Sequence, residues 1–117
     1  MSVIIEKNFC NGLADALDDI KNTGFWPTTF ILPAGHRKHV HWHSYDVNIY
    51  VMEGNSSFYD EKSGTTHPVT VGDKITVPAK TLHAEGAVDG RLVYLIALPE
   101  AQTSEGFLKP MSPDELK

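Results

Sequence analysis

Two stretches decide the fold: residues 35–54, GHRKHVHWHSYDVNIYVMEG, and residues 72–83, GDKITVPAKTLH. His41 and His43 stand two positions apart in the first stretch, and His83 closes the second. Because alternate side chains of a β-strand point to the same face, His41 and His43 are expected to project together. Two imidazoles on one face can supply part of a metal site, and a third can complete a three-histidine site.

The remainder of the chain predicts β-structure around these stretches. From Phe25 onward, short apolar segments alternate with Gly, Pro, Asn and Asp at intervals of about ten residues, which is typical of an antiparallel all-β sandwich or barrel. Asp89 and Gly90 form one of the turn pairs that join such strands. The predicted strands are Phe25 to Leu32, Val40 to Trp42, Val47 to Met52, Ser57 to Tyr59, Val69 to Val71, Lys74 to Val77, Thr81 to Glu85 and Leu92 to Leu98.

One short helix is predicted ahead of the barrel. Leu13, Leu17 and Ile20 fall on one face at helical spacing within residues 13–21, and Gly24 can end the helix. We therefore expect these three apolar side chains to face the core.

Length and composition predict one compact domain. The 117 residues are 41% hydrophobic and 21% charged, as in ordinary globular proteins. We expect an amino-terminal arm and helix over residues 1–24, the barrel over 25–100 and a tail over 101–117, all in one domain. The net charge of -5 disfavours nucleic acid as a partner, because phosphate contacts need basic residues.

Signals for export and membrane insertion are not found in the sequence. Cys10 is the single cysteine and so has no partner for an internal disulfide. The amino terminus lacks the apolar core of a signal peptide, and no stretch reaches the eighteen or so apolar residues of a membrane span. A cytoplasmic protein that does not associate with membranes is the expectation.

The two stretches resemble the two conserved motifs of the cupin family. That resemblance implies a double-stranded β-helix, or jelly-roll, barrel of the RmlC-like superfamily. It also implies one divalent metal ion, Fe, Zn, Mn or Ni, held by His41, His43 and His83. The matching residues are Gly35, His41, His43 and Gly54 in the first motif and Gly72, Pro78 and His83 in the second.

Three positions depart from the family pattern. The family glutamate, a usual fourth ligand, aligns with Val47, while Lys80 and Ala87 replace a glycine and an asparagine. Asp46 and Asn48 flank this position, but strand alternation places Val47 on the ligand-bearing face and turns Asn48 outward, so neither is predicted as a ligand. A site of three neutral histidines keeps the full charge of a divalent ion and favours anionic or chelating ligands.

The barrel interior is expected to supply the rest of a pocket. Val47 belongs to the ligand-bearing face, and His39 is in line behind His41. Tyr50 and Tyr59 are further pocket candidates, although burial in the core is the ordinary place for aromatic side chains.

Three functions remain open at this stage. The first is an iron dioxygenase that acts on a small chelating substrate, since three-histidine iron sites occur among cupin dioxygenases that the pattern resembles. The second is a non-catalytic cupin that senses or binds a small ligand or a metal. The third is a metal-free sugar isomerase or epimerase. A homodimer is expected from family habit, with the unpaired segment Val3 to Ile5 as a candidate for pairing between copies.

Overall fold

A computed structural model describes residues 2–36, 38–103 and 109–116, and the helices and strands lie within these ranges. The elements follow one another in an order that is almost entirely β. They are β1 Ile4–Glu6, α1 Leu13–Thr23, β2 Trp26–Leu32, β3 Val47–Glu53, β4 Asn55–Asp60, β5 Thr65–Thr70, β6 Lys74–Val77, β7 His83–Glu85, β8 Leu92–Leu98 and a 3₁₀ turn, Pro113–Leu116.

The strands form two antiparallel sheets that enclose the core. The larger sheet has the order β1-β6-β3-β8-β2, and the smaller has the order β5-β4-β7. Alternating side chains of β3 and β8 bury Val47, Ile49 and Val51 from one strand and Tyr94 and Ile96 from the other inside the barrel. The all-β prediction with one short helix is confirmed.

Gly54 lies between β3 and β4, at a position where the backbone requires a glycine. Its φ of 88° is a left-handed value, and a Cβ there would clash with the carbonyl oxygen of Arg91. The chain can therefore pass from one sheet to the other only if this position has no side chain.

Two predicted strands have the bounds of the observed ones. The predictions for Lys74–Val77 and Leu92–Leu98 are confirmed to the residue. The strand predicted at Val69 to Val71 lies earlier, at Thr65–Thr70, because its polar, β-branched residues pair along the whole of β4. Val71 is instead exposed in the turn that follows.

Two predictions for short segments are wrong. Val40 to Trp42 does not form a strand, since His41 and Trp42 each make only an isolated bridge to a different partner segment. The amino-terminal segment is not unpaired: β1 pairs with β6, so one of its hydrogen-bonding edges is already occupied.

The helix packs on the outer face of the larger sheet with a different set of residues from the predicted one. Ala16 and Ile20 are buried against the sheet, whereas Leu13 is 55% and Leu17 41% exposed. The small Ala16 side chain lets the helix approach closely, which leaves the leucines at the edge of the contact. Gly24 ends the helix in the left-handed conformation, as predicted. Among the described residues, no helix has the length and apolarity needed to cross a bilayer.

Candidate metal centre

Four potential metal ligands converge inside the barrel. One ligand atom from each of His41, His43, His83 and Glu85 lies within 4.8 Å of the others. The imidazole centroids are 5.0 Å apart for His41 and His43, 4.4 Å for His41 and His83, and 5.3 Å for His43 and His83. The structure therefore brings together the three histidines that the sequence singled out and adds a carboxylate to them.

Backbone pairing sets the positions of these side chains. The His41 N–H donates to the His83 carbonyl at 2.9 Å, and the His83 N–H donates back to the His41 carbonyl at 3.0 Å. This reciprocal pair joins the first motif directly to β7. Trp42 forms the corresponding pair with Met111 on its other side, so the chain around His41 and His43 is held between two segments distant in sequence.

Each of the three imidazoles is fixed by a hydrogen bond from its Nδ1 to a backbone carbonyl. Since a carbonyl can only accept, Nδ1 carries the proton in the neutral ring and Nε2 keeps a free lone pair. Metal-binding histidines are oriented in this way by their outer hydrogen bonds. The acceptors are the carbonyls of His39 for His41 (2.7 Å), Lys109 for His43 (2.8 Å) and Thr81 for His83 (2.9 Å).

Glu85 is the functional residue that the sequence reasoning missed. Its Oε2 lies 3.3 Å from His41 Nε2, and its Oε1 lies 3.9 Å from His83 Nε2. Oε2 is buried and makes no hydrogen bond of good geometry among the described residues. The spacing could have revealed it, because His83 and Glu85 stand two positions apart on a strand and so share a face, as His41 and His43 were expected to do.

The protonation states suit a cation site. Burial alone would raise the pKa of Glu85, but contact with His41 and the charge of His83 outweigh it and hold the pKa at about 2. Burial lowers the pKa of His83 to about 4 and also lowers that of His43. The pKa of His41 is raised, because its contact with Glu85 overcomes the lowering effect of burial. The ionised form of Glu85 and the neutral forms of His43 and His83 are thus favoured, and a bound cation would take the place of the proton that Glu85 favours on His41.

The dimensions of the cluster fit one divalent ion. Ligand atoms at 2.0–2.2 Å from a common ion are at most about 4.4 Å apart, so a contraction of a few tenths of an ångström would close the set. Three imidazoles and one carboxylate suit Fe, Zn, Mn or Ni, and an octahedral ion would keep two positions open. With Glu85 included, the bound centre would have a net charge of one unit rather than two, which corrects the expectation of a purely histidine site.

A cavity of about 550 Å³ opens beside the cluster. Its walls are mostly aliphatic and aromatic, with contributions from β2, β3, β6 and β8. A volume of this size accepts a small organic molecule. Representative apolar lining residues are Phe30, Leu32, Ile49, Val77, Leu92 and Ile96.

Two of the four predicted pocket residues line this cavity and two do not. His39 and Val47 are lining residues. Tyr50 lies on the opposite face of β3, where it packs against α1, because it stands at odd spacing from Val47. Tyr59 is also absent from the described lining, and its hydroxyl donates to Glu61 at 2.9 Å. The structure corrects both tyrosine assignments.

No protein-family model matches the sequence, and no curated protein matches it. Solved structures do resemble the fold. A cupin superfamily protein from Desulfitobacterium hafniense DCB-2 has a TM-score of 0.54 at 21% identity, covering 65% of this chain and 68% of that one. The polyketide cyclase RemF from Streptomyces resistomycificus has a TM-score of 0.55 at 25% identity, covering 70% of this chain and 63% of that one.

The DMSP lyase DddQ from Ruegeria pomeroyi DSS-3 is similar as well, with a TM-score of 0.56 at 18% identity. The match covers 70% of this chain but only 44% of the lyase, so it spans less than half of that protein. Together these likenesses confirm that the chain has the cupin fold, as its two motifs predicted.

Proposed function

We propose that the protein is a metal-dependent enzyme that holds one divalent ion through His41, His43, His83 and Glu85, and that its reaction is an Fe(II)-dependent dioxygenation of a small chelating substrate. The observation that carries this proposal is the convergence of four ligand atoms within 4.8 Å in the wall of a cavity large enough for such a substrate.

The protein's own residues have three tasks in this proposal. The backbone acceptors at His39, Lys109 and Thr81 keep each Nε2 directed at the ion. Glu85 supplies one negative charge, and the apolar walls exclude water and pack the body of the substrate. Bound Fe(II) would supply open coordination positions where an organic substrate and dioxygen can meet.

The lining offers little other chemistry. Glu85 is the only carboxylate among the described lining residues. Tyr94 remains protonated near neutral pH, because burial, reinforced by the charge of Glu85, raises its pKa. The proposal therefore assigns the reaction chemistry to the metal. The apolar walls also provide few hydrogen-bond partners for sugar hydroxyls, which weakens the case for a sugar isomerase.

A second candidate is a non-redox enzyme whose metal acts as a Lewis acid. A carboxylate beside three imidazoles also suits Zn, Mn and Ni, which do not require dioxygen chemistry. The named activities among the similar structures, a lyase and a cyclase, favour the same candidate.

Metal analysis tests the site itself. Tag-free protein loaded separately with Fe(II), Zn, Mn or Ni should retain about one ion per chain, and His83→Ala should lose it. His41→Ala is a second test, because His41 is less deeply buried and its removal disturbs packing less. The matched control is His67→Ala, whose histidine is on β5 outside the cavity and should keep its metal. Wild-type protein that retains no metal would refute the proposal.

Oxygen consumption separates the two reactions and the binding-only alternative. The Fe(II)-loaded protein is mixed with thiols, diketones and flavonols in an oxygen electrode. Substrate-dependent uptake that disappears in His83→Ala supports dioxygenation. Conversion of a substrate without oxygen uptake supports the Lewis-acid candidate, and tight binding with no conversion supports a sensing or binding protein.

A further inference from the structure

The cavity has a basic side as well as an apolar one. His36, Lys38 and His39 all line it and are exposed. Glu85 is the single carboxylate among its described lining residues, and that carboxylate already contacts His41. In a chain whose net charge is -5, this local excess of basic groups is a departure from the average surface.

The Lys38 backbone is hydrogen-bonded to β7, the strand that carries His83 and Glu85. The Lys38 N–H donates to the Glu85 carbonyl at 2.9 Å. That bond places the Lys38 backbone next to β7, and Lys38 lines the same cavity as the four potential ligands.

The Lys38 ammonium also differs from the paired basic groups of the molecule. Lys7 contacts Asp73, Lys74 contacts Asp19, and Arg91 contacts Glu53. Within the described ranges, Lys38 forms no ion pair with a carboxylate. An ammonium at the edge of an apolar cavity that forms no such ion pair can bind an anion without first breaking an internal contact.

The apolar walls limit where a charged group of the ligand can lie. An ionised group among Leu32, Ile49 and Ile96 would lose its hydration without gaining a partner. Near the cluster it would face both the net positive metal centre and the Lys38 ammonium. The opposite end of the ligand must be apolar, because that is what the remainder of the cavity can solvate.

From this arrangement we infer the substrate class: a small amphipathic organic anion whose carboxylate lies between the metal centre and Lys38 and whose apolar body fills the barrel. The inference rests on the proposed metal-dependent function and deepens it. Lys38 is a specificity-determining residue in this scheme. It selects for charge on the ligand and takes no part in holding the metal.

The test uses benzoate and its neutral counterpart benzamide as probes, since they share shape and differ in charge. Binding to the zinc-loaded full chain is measured by calorimetry. We expect benzoate to bind about tenfold more tightly than benzamide, and Lys38→Gln to weaken benzoate about five- to tenfold while leaving benzamide unchanged. Lys38→Arg should restore the preference. Lys62→Gln, at an exposed turn outside the cavity, is the matched control and should behave as wild type.

Metal content is measured on every variant, so the two proposals fail in different ways. Equal affinity for the two probes, no measurable benzoate binding, or a Lys38→Gln effect no larger than that of Lys62→Gln would overturn the inference even if one zinc per chain is present. Absence of zinc from the wild-type protein would instead overturn the proposed function. The preference of the zinc-free chain for benzoate over benzamide would then still test whether Lys38 selects for a charged ligand.

Discussion

Two polar clusters in the described part of the chain differ in how their charges are matched. Between α1 and the outer face of the larger sheet, Asp19 accepts hydrogen bonds from Tyr50 at 2.5 Å and from Lys74 at 2.7 Å. Inside the barrel, His41 and its neighbours present lone pairs and a carboxylate to one another. The outer cluster supplies its own cation, Lys74, whereas the inner one could hold a cation from outside.

This difference separates a structural polar cluster from a site. Burial alone would raise the pKa of Asp19, yet the hydrogen bonds from Lys74 and Tyr50 lower it, so the carboxylate is stabilised as an anion. In the inner cluster, one oxygen of Glu85 is buried and has no hydrogen bond of good geometry to any described residue. Natural proteins rarely leave such a group unsatisfied without a functional reason.

The largest effect should come from breaking the outer cluster. Asp19→Ala removes the acceptor of two hydrogen bonds and leaves the Lys74 ammonium, 11% exposed, without a counter-charge. The free energy of unfolding should fall by about 2–4 kcal/mol, measured by urea denaturation. Metal content should stay at the wild-type value. Lost metal in a variant that is still folded would show that the two clusters are not independent.

Glu85→Gln should have a smaller effect, and it should change metal affinity rather than stability, the reverse of Asp19→Ala. The substitution keeps the shape but removes the negative charge, so metal affinity should fall about 10- to 100-fold. The metal-free variant should unfold within about 1 kcal/mol of wild type, because Gln can still contact His41. Competition with a chelator measures the affinity, and Glu53→Gln, an exposed glutamate paired with Arg91, is the control. Unchanged metal affinity in Glu85→Gln would remove Glu85 from the ligand set.

The smallest of the three effects should be the loss of stability of the metal-free protein at lower pH. In the unfolded chain His83 binds a proton near pH 6.5, whereas in the folded chain its pKa is about 4. The unfolded state thus binds more protons in that window, and stability is lost as the pH falls through it. We expect about 1–2 kcal/mol between pH 6.5 and 5, since the raised pKa of His41 opposes part of the change.

Urea denaturation at several pH values in the presence of a chelator measures this loss. His83→Gln, which cannot titrate, should show a flatter dependence over the same range. If the two proteins have the same pH dependence, His83 is not the group responsible.

The fold could be predicted from the sequence because the two motifs and the alternation of side chains along the strands indicate the same barrel. Val47 and Ile49 line the cavity, as alternation along β3 requires. The same rule should have excluded Tyr50, which stands at odd spacing from them and belongs to the outer cluster. For the helix, spacing identifies a possible apolar face, but the sheet beneath decides which part is covered, and it covers Ala16 rather than Leu13.

The candidate site was only partly predictable, for a physical reason. The three histidines are visible as a motif, but the fourth donor depends on which strand lies beside His41. That neighbour is β7, through the reciprocal backbone pair of His41 and His83. Local spacing indicates that His83 and Glu85 share a face, but it does not indicate that this face lies against His41. The family pattern places its carboxylate on β3, and this chain offers one on β7 instead.

The hydrogen bond from His43 to the Lys109 carbonyl joins the metal centre to a segment 66 residues away. The same segment pairs with Trp42 through Met111, and the Ser112 carbonyl accepts a hydrogen bond from the Trp42 indole at 2.8 Å. If the proposed metal binds, occupancy of the site and docking of residues 109–112 would therefore be linked: metal binding that orders His43 would favour the docked segment, and docking would strengthen metal binding by the same free energy.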